Sequence, residues 1–412
     1  GIAGSGGSGG GVSGYNAHLY TREGKAIHGD DFNNEITNGI KNLETNVKVY
    51  GNKGGTSSTA HYSGGGGGAG SPGTNANAIA HGGDGIQNDI TGTSYYFGGG
   101  GGGSGYSTTG GNGGKGGGGG AAVGTTYGGT DGINDGLPGG GGGTNSHANT
   151  PGGNGGQHTG GGGGGGSHHR YTNNGGHGGS GIVIIKLKEI LLNTNNITSG
   201  IKNGKGGIGL YYNIFGNNIE YGSGGNSLLE NNNSGYLSTI ETNINSAKLL
   251  PDLISISNNE NYYMFTYNDD KEYNGKSVYK FNIFQDIVCD FLIVAGGGGG
   301  GMDMGGGGGG GGVIIGTDYT FNKGTYTIEV GNGGMGAPKG STDAYPIGQT
   351  IAGHEYRYRA LNGVNSSIYS GEISFVAKGG GYGGSAPANH TPDRGIAGSG
   401  GSGGGVSGYN AH

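Results

Sequence analysis

The 412-residue sequence contains 116 glycines, one cysteine and no tryptophan, with 12% charged residues and a formal net charge of −6. This balance lacks the clustered basic face that nucleic-acid binding requires, and no run of about 18 apolar residues is present to span a bilayer. The lone Cys289 excludes an intrachain disulfide framework; it reads as a buried thiol at a strand start, the sharper alternative being a bridge between neighbouring chains.

Residues 1–18 and residues 395–412 are the same eighteen letters, GIAGSGGSGGGVSGYNAH, so the sequence repeats with a period of 394 residues. Repeats change the architecture under consideration. The identity of the segment from Gly1 to His18 with that from Gly395 to His412 is expected of a tandem array, in which these ends are cuts and His412 would read on as Leu19. Across the cut, a glycine-rich module begins near Lys276 and closes with residues 1–185. The chain then divides into 1–185 and 276–412, the C-terminal and N-terminal parts of successive glycine-rich modules, and 186–275, a small β module linking them.

Between residues 19 and 50, Phe32, Ile36, Ile40, Leu43 and Val47 recur at spacings of four, four, three and four, a helical period. Asp30 or Asp31 can cap the start, so the spacing predicts one short helix over 31–47, against which Gly39 counts. Residues 51–181 alternate glycine runs with polar, Thr-bearing or Tyr-bearing excursions that read as loops at bundle ends. Tyr95-Tyr96-Phe97 and Tyr106 are expected to cover the bundle's sides. From Ile182 the pattern turns to β, with strands expected at Leu210–Phe215, Tyr236–Ile244, Leu253–Ser257 and Tyr262–Tyr267, separated by Asn-rich and Gly-rich turns. Further strands are expected at Ser277–Phe284, Cys289–Ala295, Tyr319–Val330 and Gly371–Ala377.

The chain is organised around Asp290–Gly312, where Phe291-Leu292-Ile293-Val294-Ala295 runs into Gly296–Gly301, Met302-Asp303-Met304 and Gly305–Gly312 before Val313-Ile314-Ile315. No helix forms from such a run, since each Gly costs about 0.8–1.0 kcal/mol against Ala in a helix. Glycine also gives a strand nothing to pack. Disordered linker or an extended three-residue-per-turn helix bundled with copies of itself remain. The hydrophobic flanks favour the second, because they anchor both ends of the run. Gly64–Gly68, Gly98–Gly103, Gly116–Gly120, Gly139–Gly143, Gly160–Gly166 and Gly379–Gly381 supply further members. Only glycine lets extended backbones approach closely, and their N–H and C=O groups must find partners on one another. The expected fold is therefore all-β plus a polyglycine II helix bundle, with Asp303 at a tip where two glycine helices turn.

Chemistry is sparse. The many GxGxxG strings lack the helix and acidic residue of a dinucleotide site, no Gly-Lys-Ser/Thr P-loop occurs, and no cofactor is expected. His158, His168, His169 and His177 could ligate a metal but read as polar loop residues, with Tyr171 in the same displayed stretch. Asp84, Asp89, Asp131 and Asp135 could offer oxygens to Ca²⁺ but read as loop caps. No Ser/His/Asp set or paired carboxylate stands out, so an enzyme is not expected. Asn196, Asn232, Asn365 and Asn389 head Asn-x-Ser/Thr acceptors, which a eukaryotic secretory route would glycosylate.

The succession of a Phe265-Thr266-Tyr267-Asn268 strand, Tyr279-Lys280-Phe281-Asn282, Cys289-Asp290-Phe291-Leu292-Ile293-Val294-Ala295 and polyglycine resembles glycine-rich surface and fibre modules of giant DNA viruses and marine protists. Gly324-Thr325-Tyr326-Thr327-Ile328-Glu329-Val330 and the closing Gly181-Ile182-Val183-Ile184-Ile185 fit the same pattern. The similarity leaves out residues 186–261. More loosely, the chain is similar to polyglycine-helix adhesin domains of phage tail fibres. The first resemblance implies an extracellular or virion-surface structural role. The second implies a stiff bundle displaying loops that bind receptors. The expectation is a structural subunit of a fibre built from tandem repeats, whose partners are adjacent copies of itself. An adhesin binding cell-surface glycans and an ice-binding protein are the rivals, the latter disfavoured by scattered threonines.

Overall fold

Wherever glycine gives way to β-branched and aromatic residues, the chain forms strands. The computed structural model describes residues 25–27, 35–36, 38–56, 62–76, 79–105, 110–123, 126–137, 150–167, 174–190, 210–213, 218–221, 243–244, 247–248, 262–269, 272–283, 286–338, 360–371, 373–385 and 397–404. Among them are β1 (Ile40–Glu44), β2 (Val47–Tyr50), β3 (Ile86–Asn88), β4 (Tyr95–Phe97), β5 (Ile182–Ile190), β6 (Leu210–Asn213), β7 (Asn218–Tyr221), β8 (Asn243–Ile244) and β9 (Ala247–Lys248). They continue with β10 (Tyr262–Thr266), β11 (Glu272–Tyr273), β12 (Lys276–Ile283), β13 (Ile287–Val294), β14 (Val313–Phe321), β15 (Gly324–Gly331), β16 (Ser366–Ser370) and β17 (Ile373–Ala377). No helix occurs among the described residues.

One antiparallel sheet has the order β1-β2-β14-β13-β5-β10 and a second β11-β12-β15-β16-β17, while β3–β4, β6–β7 and β8–β9 are separate antiparallel pairs. β10 lies along β5 in the register Tyr263↔Ile185, so residues that composition groups with the connector pair with the strand closing the first glycine-rich part. Val183, Ile185, Phe265, Phe291 and Ile293 of the first sheet share one core with Phe281, Ile328, Val330, Ile368 and Phe375 of the second. Each fully buried Phe or Ile contributes roughly 1.5–3 kcal/mol. At the centre, the Phe291 ring meets Tyr319, Phe321 and Phe375 at centroid distances of 5.6, 5.5 and 5.3 Å, the tilted and edge-on spacing that aromatic quadrupoles favour.

The central strands read Ile182-Val183-Ile184-Ile185 and Phe291-Leu292-Ile293-Val294 without alternation because both faces of their sheet are covered. The second face carries Ile182, Ile184, Leu292, Val294 and Val313 against Phe97, Ala69 and Ile90. Tyr95-Tyr96-Phe97 thus forms β4: Tyr95 and Phe97 cover the sheet, the Tyr96 ring lies 5.0 Å from Lys115 Nζ of the glycine-rich segment 110–120, and Tyr106 lies outside the described residues.

The short helix expected over 31–47 is corrected for its described part. Gly39 takes φ +77°, which starts a turn, and Ile40–Glu44 and Val47–Tyr50 pair antiparallel around Thr45-Asn46. Val47 and Val49 are buried with Lys48 exposed between them. That is a period of two, and β2 takes its place beside β14 through Val313↔Tyr50. Packing against an existing sheet outweighs the four-residue spacing of Ile36 and Ile40, of which the latter is 43% exposed. Residues 31–34 and 37 lie outside the described residues, as do the strand expectations at Leu253–Ser257 and most of Tyr236–Ile244.

Candidate functional site

The sandwich opens at one end into glycine. In register, Val294 pairs with Ile182 and Val313, and Val313 with Tyr50, so the glycines following β13 and β2 and those preceding β5 and β14 leave the sheet side by side. β15 and β17 of the second sheet run on into glycine-rich segments at 331–337 and 378–385, and β16 is preceded by Ala360-Leu361-Asn362-Gly363-Val364. The strands therefore set the positions from which the glycine segments run together.

Once past the sheets, the hydrogen bonding changes from two neighbours per strand to six per segment. Along 98–104, Gly101 and Ser104 donate their N–H groups to Gly308 and Gly305, Gly99 and Gly102 to Gly116 and Gly119, and Gly100 and Gly103 to Gly83 and Ala80. The carbonyls of the same segment accept from Ser63, Gly66 and Ala69, from Gly162 and Gly165, and from Gly111 and Gly114. Every third residue addresses the same neighbour. Segment 305–312 repeats the scheme, donating to 160–166, 378–384 and 64–67 and accepting from 101–104, 295–301 and Ser402. Segments 160–167 and 295–301 are likewise bonded on all sides. These are the longest described glycine runs, and the reason is steric. A Cβ on Gly101, Gly298 or Gly308 would stand 2.1 Å from the carbonyl oxygen of Gly163, Gly381 or Gly298.

At the rim the sequence becomes Gly-Gly-X, as in Gly110-Gly111-Asn112, Gly152-Gly153-Asn154, Gly175-Gly176-His177 and Gly380-Gly381-Tyr382. Side chains there replace missing backbone acceptors. Asn154 Oδ1 accepts the N–H of His177 at 2.8 Å, His177 Nδ1 that of Gly336 at 3.1 Å, and His81 Nδ1 that of Asn112 at 3.0 Å. Asp84 Oδ1 takes the N–H of Lys115 at 2.9 Å, Gln157 Oε1 that of Ser180 at 3.2 Å, and Asn362 Oδ1 that of Tyr382 at 3.0 Å. Desolvation by the neighbouring segments holds the His177 imidazole below its ordinary pKa although the residue as a whole is exposed, which suits a nitrogen that must keep its lone pair. His177 and Asp84 stand out in the sequence only as a polar loop residue and a loop cap, and Asn154, Gln157, His81 and Asn362 were missed; the triplet of two glycines and one polar residue marks Asp84, Asn154, Gln157 and His177.

His158, by contrast, adopts φ +62° and bonds Ser180, whose Oγ accepts the His158 N–H at 3.0 Å and lies 3.1 Å from Nδ1. His158 and His177 thus serve different partners. His168, His169 and Tyr171 lie outside the described residues. Asp131 pairs with Lys115 at 3.1 Å, and among the described residues no group of three His, Cys, Asp or Glu side chains is placed to hold a metal ion. Asp303, at φ +52°, turns the chain between two glycine segments but is only 4% exposed, between the buried Met302 and Met304. Asn365, half-buried, accepts the N–H of Gly379 at 3.0 Å; Asn196, Asn232 and Asn389 lie outside the described residues. Cys289 is buried, its thiol pKa pushed up to about 12 by burial and by the charge of Asp290.

Of the repeated eighteen residues, 397–404 are described, while Gly1, His18, Gly395 and His412 are not. Residues 397–404 fill a slot between 51–56, 64–68, 305–312 and 378–384. Gly401, Ser402 and Gly403 donate to Gly379, Gly310 and Asn52 at 2.7, 2.9 and 2.9 Å, and Ser402 accepts from Gly381 at 3.0 Å. Elsewhere a cleft of ≈ 400 Å³ is lined by Thr91, Tyr95, Asn134, His158, Tyr262 and Thr266, among others. No described helix is long and apolar enough to cross a membrane.

Residues 275–412 match a family model described as a glycine-rich domain, which begins at the turn before β12 and ends with the repeated segment. No curated protein and no solved structure matches the chain.

Proposed function

We propose that the glycine segments are polyglycine II helices forming a bundle clamped by the β-sandwich, and that the protein is a structural subunit of an extracellular or virion-surface fibre built from 394-residue repeats. The observation that carries this reading is the bonding of the repeated segment itself. Residues 397–404 are a member of the bundle, so the part of the sequence that recurs is a part on which the bundle is built. Three-residue periodicity in donors and acceptors supports the helix type, since a three-fold extended helix turns successive N–H groups toward three different neighbours. A cross-section in which every backbone group is paired is stiff and resists local opening. Repeats so built would stack on one another with nearest-neighbour interfaces.

The test is the mass of the denatured, reduced polypeptide from its natural source, with negative-stain images of the native material. A single species several times heavier than one repeat, in filaments with a regular axial spacing, is the expected result. A species of one repeat's mass that forms no filaments overturns the reading.

A second reading, an adhesin, is favoured by the cleft beside β4 and β10. Tyr95 and Tyr262 offer faces for a sugar ring, and Thr91, Asn134, His158 and Thr266 offer hydrogen-bonding groups, the combination of apolar walls and a few polar contacts that small ligands use. Binding to a glycan array that is lost in a Tyr95→Ala, Tyr262→Ala variant would support it; no binding to any glycan would end it.

A further inference from the structure

We infer that the cleft beside β4 and β10 is a binding site for an uncharged 6-deoxy sugar at the end of a glycan, whose C6 methyl group packs against Ile133, Ile182 and Met264. The inference rests on the adhesin reading above and names the class of sugar that the cleft selects.

The walls follow from the strands. Tyr262, Met264 and Thr266 are alternate residues of β10 and so share one face of it, and the register Thr266↔Ile182 sets the first residue of β5 beside the last of them. Between β3 and β4 the chain turns at Gly92, with φ +80° and its N–H on the Asp89 carbonyl at 2.8 Å. That turn brings Thr91, Thr93 and Tyr95 to the same cleft. The glycine-rich part adds Ile133, Asn134 and His158.

Several polar groups are held in place by bonds of their own. Asn134 Nδ2 donates to the Gln157 carbonyl at 2.9 Å, and Thr91 Oγ1 to that of Thr93 at 3.2 Å. His158 sits at φ +62° with its Nδ1 3.1 Å from Ser180 Oγ. A non-glycine residue in that conformation is costly, and such residues gather at ligand clamps. Fixed polar groups among apolar walls are what orients a small ligand.

The composition of the lining selects the ligand. Among the described residues that line the cleft, none is Asp, Glu, Lys or Arg. A carboxylate or sulfate entering it would give up water without gaining a counter-charge, which turns away uronic, sialic and sulfated sugars. The apolar wall then discriminates among neutral ones. Ile182 is fully buried and Met264 is 7% exposed, both within the cluster that covers the sheet, and Ile133 packs on that cluster. These three side chains offer no strong hydrogen-bonding group, so a hydroxymethyl group pressed on them would bury an unpartnered hydroxyl. A methyl group meets no such cost. Ring hydroxyls remain for Thr91, Asn134, His158 and Thr266, and ring faces for Tyr95 and Tyr262. The ≈ 400 Å³ volume is near the small end of the roughly 300–1,000 Å³ of ligand pockets, which suits one terminal sugar.

The test measures binding of the full chain to methyl hexosides that pair each 6-deoxy sugar (fucose, rhamnose, quinovose) with its 6-hydroxy parent (galactose, mannose, glucose). Galacturonic acid serves as the charged probe. At least one 6-deoxy sugar is expected to bind about 10–100-fold more tightly than its parent, the scale on which an apolar pocket separates such pairs. Galacturonic acid should not bind, and saturation-transfer NMR should give the C6 methyl the strongest signal. Ile133→Ser is expected to narrow the ratio; should that variant fail to fold, the wild-type ratio decides alone. Equal affinity for every 6-deoxy sugar and its parent, or binding of galacturonic acid, overturns the inference and leaves the adhesin reading standing. Binding to none of these sugars overturns the inference, and the adhesin reading ends with it only if a full glycan array is also blank.

Discussion

Gly101 lies so close beneath the carbonyl of Gly163 that a Cβ built on it would stand 2.1 Å from the oxygen. Its N–H goes to Gly308 at 2.8 Å and its carbonyl receives Gly66 at 2.9 Å, so no side of the residue is free to yield. Gly101→Ala is expected to lower unfolding stability by roughly 3 kcal/mol, at the upper end of overpacking penalties. Gly324→Ala is the comparison, because a Cβ there meets nothing closer than 4.0 Å, and its effect should stay within about 1 kcal/mol. Urea denaturation of both variants decides; equal stability for the two would remove the close-packed bundle.

A similar constraint operates in the sandwich. A Cβ on Gly316 would meet Phe291 Cε1 at 2.1 Å, so the ring and the glycine of the neighbouring strand share one volume. Phe291→Ala empties the centre of the aromatic group and should cost about 3–5 kcal/mol. Gly316→Ala should be destabilising for the opposite reason. Combining the two should recover part of the loss, a non-additivity that a double-mutant cycle measures; strict additivity would contradict the shared volume.

Cys289 is fully buried in β13 with its thiol raised to about 12, far from the thiolate that reacts. Native protein at pH 8 should leave the thiol unmodified by a disulfide reagent for hours, with one equivalent released on denaturation. Non-reducing and reducing gels should agree. Rapid native labelling would mean that the sheet opens there.

His177 supplies the pH dependence. Its folded-state pKa is lowered from the ordinary 6.5 by desolvation where the ring meets its neighbours, and its Nδ1 must accept from Gly336. The unfolded chain therefore binds more protons in the window between the lowered value and 6.5. Stability from this residue is full above about pH 6.5 and is lost as the pH falls through that window. His177→Asn keeps an acceptor of the kind Asn154 uses and removes the titration. The difference in Tm between pH 7.5 and pH 5 should be smaller in the variant; an unchanged difference would assign the pH dependence to other groups.

Much of the β structure is legible from residue order. The apolar runs at Ile182 and Phe291 form β5 and β13, and their lack of alternation already says that both faces are covered. The β1–β2 hairpin was not legible, because Ile36, Ile40, Leu43 and Val47 fit a helical period and only the sheet edge offered by β14 decides between the two. β16 was missed for a related reason: Ser366-Ser367-Ile368-Tyr369-Ser370 is too polar to announce itself, and its serines are buried by pairing Ser366 and Ser367 with Gly331 and Glu329. In the candidate site the pure glycine runs pointed to the interior, but the rim did not stand out. Asn112, Asn154 and His177 look like loop polar residues until the neighbour whose N–H each accepts is known.

Those rim acceptors have a consequence for size. Glycine segments that bond neighbours on all sides, as 98–104 and 305–312 do, contain no instruction to stop; like a crystal nucleus, such an array can add segments to any bare face. Asn154, His177, Asp84 and Gln157 satisfy with side-chain acceptors N–H groups that would otherwise stay open to a further segment. Where the third letter of the triplet falls therefore decides which of these N–H groups are already taken, much as charged or bulged edges keep a sheet from recruiting strangers. A chain that lost those letters to glycine would not become looser. It would be expected to leave those N–H groups open to pairing with another copy.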